Sequence, residues 1–474
     1  MSAMDNSTIA AISTPAGSGG IGIIKISGPK AIDIALTAFK PKSWRKNSGN
    51  ADKKPENARF LKSHRLYYGH IVDTKTDRIL DEVLFVIMRA PYSYTTEDVV
   101  EVQAHAGILV LKSILTTLIN NGAQLAEPGE FTRRAFLNGR IDLTQAEAVI
   151  DVINAKSDSA IDMAMAQISG ALKQTIESLR SELIDILSFI DASIDFQDDI
   201  DDTTVTAGLV KRIEENIIFQ IKSLIRHYEN ENFLREGLKV VIVGGPNVGK
   251  SSLMNRLINR ERSIVTDIPG TTRDFIEDSF ITKGVPIIVT DTAGMHDDPD
   301  PVERIGIDKA WEYISTADII LFTVDAGKSV NSTEMTLFKK FCDKKTITVI
   351  NKTDIPKENI CFKLPTEWGE VQHLEISALY NRGIDDLKDL IAKTAFESVS
   401  DMGQKIIPNL RQKNALKKAL ASLTAAVEGL RQTSLFELVS IDLKSALASL
   451  SEIVGDTVNP DILATIFNRF CIGK

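Results

Sequence analysis

The run Gly244-Gly-Pro-Asn-Val-Gly249-Lys250-Ser251 has the spacing GxxxxGK[ST], follows the apolar segment LKVVIV and opens a helical pattern. In that setting backbone N–H groups wrap phosphate oxygens, and small residues let the chain approach them closely. Lys250 is expected to reach the β- and γ-phosphates, and the Ser251 hydroxyl to ligate Mg²⁺. Asn247, Val248, Gly249 and Ser252 fall within the same phosphate-contacting run. Asp291-Thr292-Ala293-Gly294 ends a second apolar run. Its carboxylate can meet Mg²⁺ through water, and its glycine amide can sense the γ-phosphate. Asn351-Lys352-Thr353-Asp354 ends a third. A carboxylate there accepts the two guanine N–H donors that adenine lacks, and leaving it unpaired is costly. Ser377-Ala378-Leu379 offers backbone donors to the guanine carbonyl. Four motifs in this order imply GTP rather than ATP.

These motifs need a scaffold that brings separated loops together. LKVVIVGG, PIIVTDTAG, IILFTVDAG, TITVINKTD and HLEISAL each end an apolar run in a polar loop, the pattern of a parallel sheet with its chemistry at the strand C-termini. Residues 237–397 therefore read as an α/β domain. Upstream, residues 1–138 mix short β-like runs (8–13, 21–27, 67–72, 82–88) with helical patterns near 106–120, an α+β domain. The stretch 41–65, rich in Lys, Asn, Ser and Pro, reads as an exposed, mobile loop. Residues 139–236 and 398–474 are helical. Ile161, Met165, Ile168, Leu172, Ile176, Leu179, Leu183, Ile186 and Ile190 recur at three- and four-residue steps, predicting one packed helix face. Leu416, Leu420, Leu423, Val427 and Leu430 do the same downstream. The acidic cluster Asp195, Asp198, Asp199, Asp201 and Asp202 reads as a solvated interhelical turn before a cation site. The simplest architecture inserts the α/β domain into one helical domain built from two chain segments.

At 474 residues, the chain is long for one core. A net charge of −9 argues against nucleic-acid binding by bulk charge, though not against a local basic patch. The cysteines, Cys342, Cys361 and Cys471, are odd in number and far apart, which disfavours a disulfide framework or zinc site and fits a reducing cytoplasm. The N-terminus lacks a signal-peptide pattern, and no apolar run is long enough to span a membrane.

The nucleotide motifs resemble the translation-factor-like branch of Ras-type GTPases, with its P-loop G domain. Gly270-Thr271-Thr272-Arg273-Asp274 resembles the switch sequence of the Era-like group, which makes Thr272 the expected second hydroxyl ligand of Mg²⁺. Met295 follows Gly294 where Ras-type proteins carry a water-orienting Gln, and an apolar side chain cannot position a nucleophile. Elsewhere Phe470-Cys471-Ile472-Gly473-Lys474, the segments PGEF and RAFLN within 128–138, Asp142-Leu-Thr-Gln-Ala-Glu-Ala148, Gly19-Gly-Ile-Gly22 with Ile-Ser-Gly28, and Glu97-Asp98 resemble the MnmE (TrmE) family of tRNA-modification GTPases over essentially the whole chain.

That resemblance implies an N-terminal domain that dimerises and binds a tetrahydrofolate one-carbon donor, 5-formyl- or 5,10-methylene-tetrahydrofolate, at Lys25, Glu97, Arg140 and Lys474. Lys25, Arg140 and Ser18 depart from the residue types common there, and lysine cannot reproduce the arginine fork. It implies K⁺ at Asn247, Thr266, Ile268 and Thr271, within a nucleotide-contacting loop that includes Asp267, Pro269, Gly270 and Thr272. It implies Glu303, in Val302-Glu-Arg-Ile-Gly306, as the catalytic group beside Lys250, and Cys471 near the folate. An FAD-dependent MnmG-type partner, in a heterotetramer, and tRNA as substrate follow, the product carrying a carboxymethylaminomethyl or related group on C5 of the wobble uridine. An Era-like regulatory GTPase of ribosome or RNA assembly, and a scaffold with a vestigial pocket, are the competing readings. The first needs neither the N-terminal segment nor the FCIGK tail, and the second does not need intact motifs.

Overall fold

The computed structural model describes residues 7–42 apart from 16 and 18, then 61–195, 202–258, 277–291, 311–341, 343–356, 358, 362–368, 371–396, 406–432 and 436–474. The chain divides into two compact units, one formed by 1–150, 167–197 and 436–474, the other by 151–166 and 198–435.

The first unit is built on a seven-stranded mixed sheet. Its strands are β1 (Ile9–Ile12), β2 (Ile21–Ser27), β3 (Phe39–Pro41), β4 (Leu66–Val72), β5 (Ile79–Met88), β6 (Val99–His105) and β7 (Gln124–Leu125), in the order β3-β4-β5-β6-β2-β1-β7. The four runs read as strands from the sequence match β1, β2, β4 and β5 closely. One face carries Ala10, Ile24, Ile26, Phe85, Val100 and Val102, buried under α1 (Ala31–Ala38) and α2 (Ile108–Asn120). Alternation puts every second side chain of β2 on the opposite face, among them Lys25 and Ser27. That face is covered near β1 by Ala126, Phe131 and Tyr94, where α3 (Glu130–Leu137) lies. Most of the 41–65 stretch lies outside the described residues.

Three helices follow: α4 (Leu143–Asn154), α5 (Asp158–Ile168) and α6 (Ala171–Asp195). The stripe read as one helix face over 161–190 is two helices. Gly170, at φ 90°, ends the first, a backbone conformation β-carbon-bearing residues rarely adopt. Only the second half of the stripe is a core face. Leu172, Ile176, Leu179, Leu183, Ile186 and Ile190 are buried, whereas Ile161 and Met165 are 41% and 49% exposed. In the same unit α6 packs along a helix at Phe436–Val454, where Ser440 donates to Asp191 at 2.7 Å.

The second unit begins, after α5, with α7 (Asp202–Arg212), a π-helical turn at Ile213–Ile218, α8 (Phe219–Glu231) and α9 (Phe233–Glu236). Its sheet comprises β8 (Leu238–Val243), β9 (Glu277–Thr282), β10 (Val285–Asp291), β11 (Ile319–Asp325), β12 (Thr346–Asn351) and β13 (Gln372–Glu375). The order β13-β12-β11-β8-β10-β9 is parallel except for β9, an antiparallel edge. This is the parallel sheet read from the sequence, with β9 the strand its pattern did not announce. Around it stand α10 (Lys250–Ile258), α11 (Ser332–Lys339) and α12 (Ile384–Phe396), with α13 (Leu410–Arg431) against α8. Leu416, Leu423, Val427 and Leu430 are buried on α13, as their periodicity predicts, and Leu420 is half-buried. The helix α14 (Phe436–Val454) and α15 (Pro460–Phe467) belong to the first unit. Asp195 and Asp202 end α6 and begin α7, and no cluster of metal-ligating side chains occurs among the described residues.

Candidate nucleotide and folate sites

Parallel strands deliver their C-terminal ends to one edge, and every described nucleotide motif lies there. Between β8 and α10 the chain turns sharply. Asn247 adopts φ 60°, and Gly249 φ 96° with the side-chain nitrogen of Asn351 only 2.4 Å from where a β-carbon would stand. Lys250 is buried at the start of α10, its ammonium donating to the Gly244 and Gly245 carbonyls at 2.9 and 2.8 Å. Burial pushes this amine down from its ordinary value, with the Asp291 charge opposing. The two carbonyls meet the charge that phosphate oxygens would meet. Ser251 donates to Asp291 Oδ2 at 2.7 Å, and burial raises the Asp291 carboxyl while the Ser251 bond and the Lys250 charge oppose. Asp291 Oδ1 is buried without a hydrogen-bond partner. A hydroxyl joined to a carboxylate that keeps one free, desolvated oxygen suits a hard divalent cation and its water. Mg²⁺ therefore fits these residues.

Further along the edge, Asn351 ties three loops together. Its amide donates to the Val248 carbonyl at 2.9 Å, and its oxygen accepts from the Lys352 and Ala378 N–H groups at 2.8 and 3.0 Å. Lys352, at φ 67°, donates to the Asn247 carbonyl at 2.6 Å and to Asp325 at 2.7 Å. Asp354 accepts from the Ser377 hydroxyl at 2.6 Å, which holds the carboxylate against the loop that follows β13. Gly249, Ser252, Lys352, Asp354, Ala378 and Leu379 line a cleft of about 470 Å³. The motifs read from the sequence as phosphate- and base-contacting thus converge. Thr266, Asp267, Ile268, Pro269, Gly270, Thr271, Thr272, Thr292, Ala293, Gly294 and Glu303 lie outside the described residues, as does Ser18.

Two contributors were not foreseen. Asp325 ends the apolar run of β11, the position from which every other motif residue emerges, so its place could have been suspected. Arg256 gives no such signal. It donates to the carbonyls of Ala378 and Leu379, over a hundred residues away in sequence.

In the first unit, Lys25 on β2 faces Glu101 at 3.9 Å and feels the charge of Lys474. Burial lowers its pKa first, Glu101 opposes, and Lys474 lowers it further. Glu97 accepts from Ser27 at 2.7 Å and from Arg134 at 3.2 and 3.3 Å, and Arg134 also holds Glu130 at 2.8 Å. Arg140 lies over the Tyr94 ring at 4.8 Å and donates to the Tyr94 carbonyl. The turn from Tyr94 to Glu97 therefore joins Arg140 to Glu97, while Ser27 joins Glu97 to the strand bearing Lys25. The 471–474 tail reaches the same region through a β-bridge between Pro128 and Ile472, with the Cys471 thiol exposed. Two cations within charge range of one another, Lys25 and Lys474, suit an anionic ligand group. Among the described residues no helix is long and apolar enough to cross a membrane.

A family model described as MnmE helical domain matches residues 143–471, and one described as GTP-binding protein TrmE N-terminus matches residues 8–140. The chain is 43% identical to the tRNA modification GTPase MnmE of Carboxydothermus hydrogenoformans, over 99% of this chain and 100% of that one. It is 40% identical to the protein of the same name from Alkaliphilus metalliredigens, over 98% and 99%. Among solved structures, Aquifex aeolicus Era bound to GDP and aluminium fluoride is 29% identical over 39% of this chain and 65% of that chain, with a TM-score of 0.27.

Proposed function

We propose, for a chain that belongs to the MnmE family of tRNA modification GTPases, that GTP hydrolysis here drives modification of the wobble uridine of certain tRNAs. The observation that carries this reading is that the family likeness runs through the N-terminal and helical parts as fully as through the nucleotide motifs. An Era-like regulatory role would need only the latter.

In this reading the phosphate loop, Asn247–Ser252, and the segment 266–272 hold GTP. Ser251 and Thr272 ligate Mg²⁺, with Asp291 acting through water. Asp354 and the Ser377–Leu379 loop read guanine. Potassium, coordinated by Asn247 and the carbonyls of Thr266, Ile268 and Thr271, supplies the positive charge that many GTPases take from an arginine finger. Glu303 orients the attacking water, since Met295 cannot. Lys25, Glu97, Arg140 and Lys474 hold a tetrahydrofolate one-carbon donor, with Cys471 beside it. The flavin chemistry belongs to an FAD-dependent MnmG-type partner, and the complex acts in the cytoplasm.

A homodimer formed by the N-terminal unit belongs to the same reading. Ile21, Leu66 and Leu84, at 63%, 58% and 37% exposed, lie on the sheet face opposite α1 and α2, apolar area that a second copy would cover. The domain limits 1–138, 139–236, 237–397 and 398–474, with the G domain inserted into the helical one, complete it.

Nucleoside mass spectrometry of tRNA from cells lacking this chain tests the reading. Hypomodified wobble uridines are expected, and unchanged ones reject it. The potassium step is tested by GTP turnover in KCl and NaCl at equal ionic strength. Wild type should be faster in KCl, Asn247→Ala should lose most of that stimulation, and Glu303→Ala should bind GTP but hydrolyse it poorly.

A further inference from the structure

The helix that opens at the phosphates also grips the base loop. Lys250 and Ser251 begin α10, and Arg256 stands in its last turn. From there the guanidinium forks onto two successive carbonyls, Nε to Ala378 O at 2.8 Å and Nη2 to Leu379 O at 2.7 Å. These are charge-assisted bonds in the planar geometry that only arginine offers. A cation at that end is also favoured by the helix dipole.

Each carbonyl belongs to a planar trans peptide, so holding the oxygen fixes the direction of the N–H on the same plane. The forked bonds therefore set the orientation of the Leu379 and Tyr380 N–H groups, and the Ala378 N–H is already held by Asn351. With Ser377 bonded to Asp354, the whole segment Ser377–Tyr380 is fixed from three sides: by β12, by the Asp354 carboxylate and by α10. Among these, Arg256 ties the base loop directly to the helix that carries Lys250. The six helical steps from Lys250 to Arg256 span roughly 9 Å at 1.5 Å per residue.

We infer that Arg256 is a positioning residue for nucleotide selection, setting the base loop at a fixed distance from the phosphate-binding helix. This rests on the assignment of Ser377–Leu379 to the base. A loop free to turn its peptide planes would present donor or acceptor to the six-position of a purine with less discrimination. Its loss should weaken binding of every six-carbonyl purine nucleotide alike, while Asp354 continues to distinguish guanine from hypoxanthine by the two-amino group.

The test measures binding of GTP, ITP, XTP and ATP to full-length wild type, Arg256→Gln, Arg256→Lys and Asp354→Asn, with melting of each nucleotide-free protein. For Arg256→Gln, GTP and ITP affinity should fall together by about tenfold, leaving their ratio unchanged. ATP affinity should change little, so the margin of GTP over ATP narrows by the same factor. Arg256→Lys should not recover it, because one ammonium cannot span both carbonyls in the plane. GTP binding within twofold of wild type in Arg256→Gln, or a loss shared equally by ATP, overturns the inference. Asp354→Asn separates the two claims: if it fails to shift preference from GTP to XTP, the base-loop assignment itself is wrong, whereas a shift with an unaffected Arg256→Gln removes only the role given to Arg256.

Discussion

The Lys352 ammonium lies 2.7 Å from the Asp325 carboxylate and 2.6 Å from the Asn247 carbonyl, joining the end of β11 to the phosphate loop through the segment that follows β12. Burial alone would raise the Asp325 pKa, but the Lys352 bond, the Gly327 N–H and the Lys352 charge outweigh it and hold the group low. The Asp325 carboxylate therefore stays ionised throughout the neutral range, and its contribution to stability is lost only as pH falls through that depressed value. Asp325→Asn keeps the shape and removes the charge. Nucleotide binding should weaken by about 1–2 kcal/mol, roughly five- to thirtyfold. Titration calorimetry with GDP checks this, and an unchanged affinity would show that Lys352 is held adequately by Asn247 alone.

Gly249→Ala meets two obstacles at once. The residue sits at φ 96°, and a β-carbon would stand 2.4 Å from the Asn351 amide nitrogen. Asn351 would have to leave the Val248 carbonyl, loosening the hub of the site. Loss of detectable GTP binding, with a melting temperature lowered by only a few degrees, is the expected outcome.

Asp291→Asn should separate stability from catalysis. Burial raises this carboxyl above the ordinary value of about 3.9, so the metal-free folded protein binds the proton more tightly than the unfolded chain does. Its stabilising contribution is present in acid and is lost as pH rises through the folded pKa. The neutral amide has no such loss. Without Mg²⁺, the variant's stability advantage over wild type should widen as pH rises from about 4 to about 7. In Mg²⁺ the variant should hydrolyse GTP about a hundredfold more slowly or worse. Urea melts across this range and single-turnover assays measure the two effects, and a variant less stable than wild type at neutral pH would contradict the burial argument.

Arg134 is buried between Glu97 and Glu130 and also donates to the Ser7 carbonyl at 2.9 Å. Arg134→Met would leave Glu130 buried without its counter-ion and, among the described residues, Glu97 held only by Ser27. Breaking a buried pair from one side costs about 3–5 kcal/mol. Urea unfolding of the first unit's transition should register that loss, and a change below about 1 kcal/mol would mean that water reaches the carboxylates.

What the sequence made legible is what is local. The phosphate loop, its strand and its helix are one continuous segment, so spacing alone recovers them. The inner strands β8, β10, β11 and β12 are largely buried on both faces and read as apolar runs, whereas β9, at one edge, offers only EDSFIT and gives no such signal. The stripe over 161–190 failed for a definable reason: three- and four-residue steps persist across Gly170, and periodicity carries no record of a break that one glycine makes. Arg256 and the Ala378 carbonyl are separated by 122 positions, and nothing in either segment announces the other. The Arg134 network is hidden likewise beyond its own helix partner Glu130, for Ser7 and Glu97 come from distant segments.

The placement of Lys474 within charge range of Lys25 bears on how the protein is made. A ribosome adds these two residues roughly 450 peptide bonds apart, tens of seconds at about 5–20 residues per second. The strands of the first sheet, all within residues 9–125, are complete long before Lys474 is added, yet until then Lys25 lacks the second positive charge beside it. A nascent chain thus carries its whole phosphate loop, at residues 244–251, before the charge environment of Lys25 is complete. The electrostatics around Lys25 therefore depend on a segment more than four hundred residues later in the chain folding back beside β2.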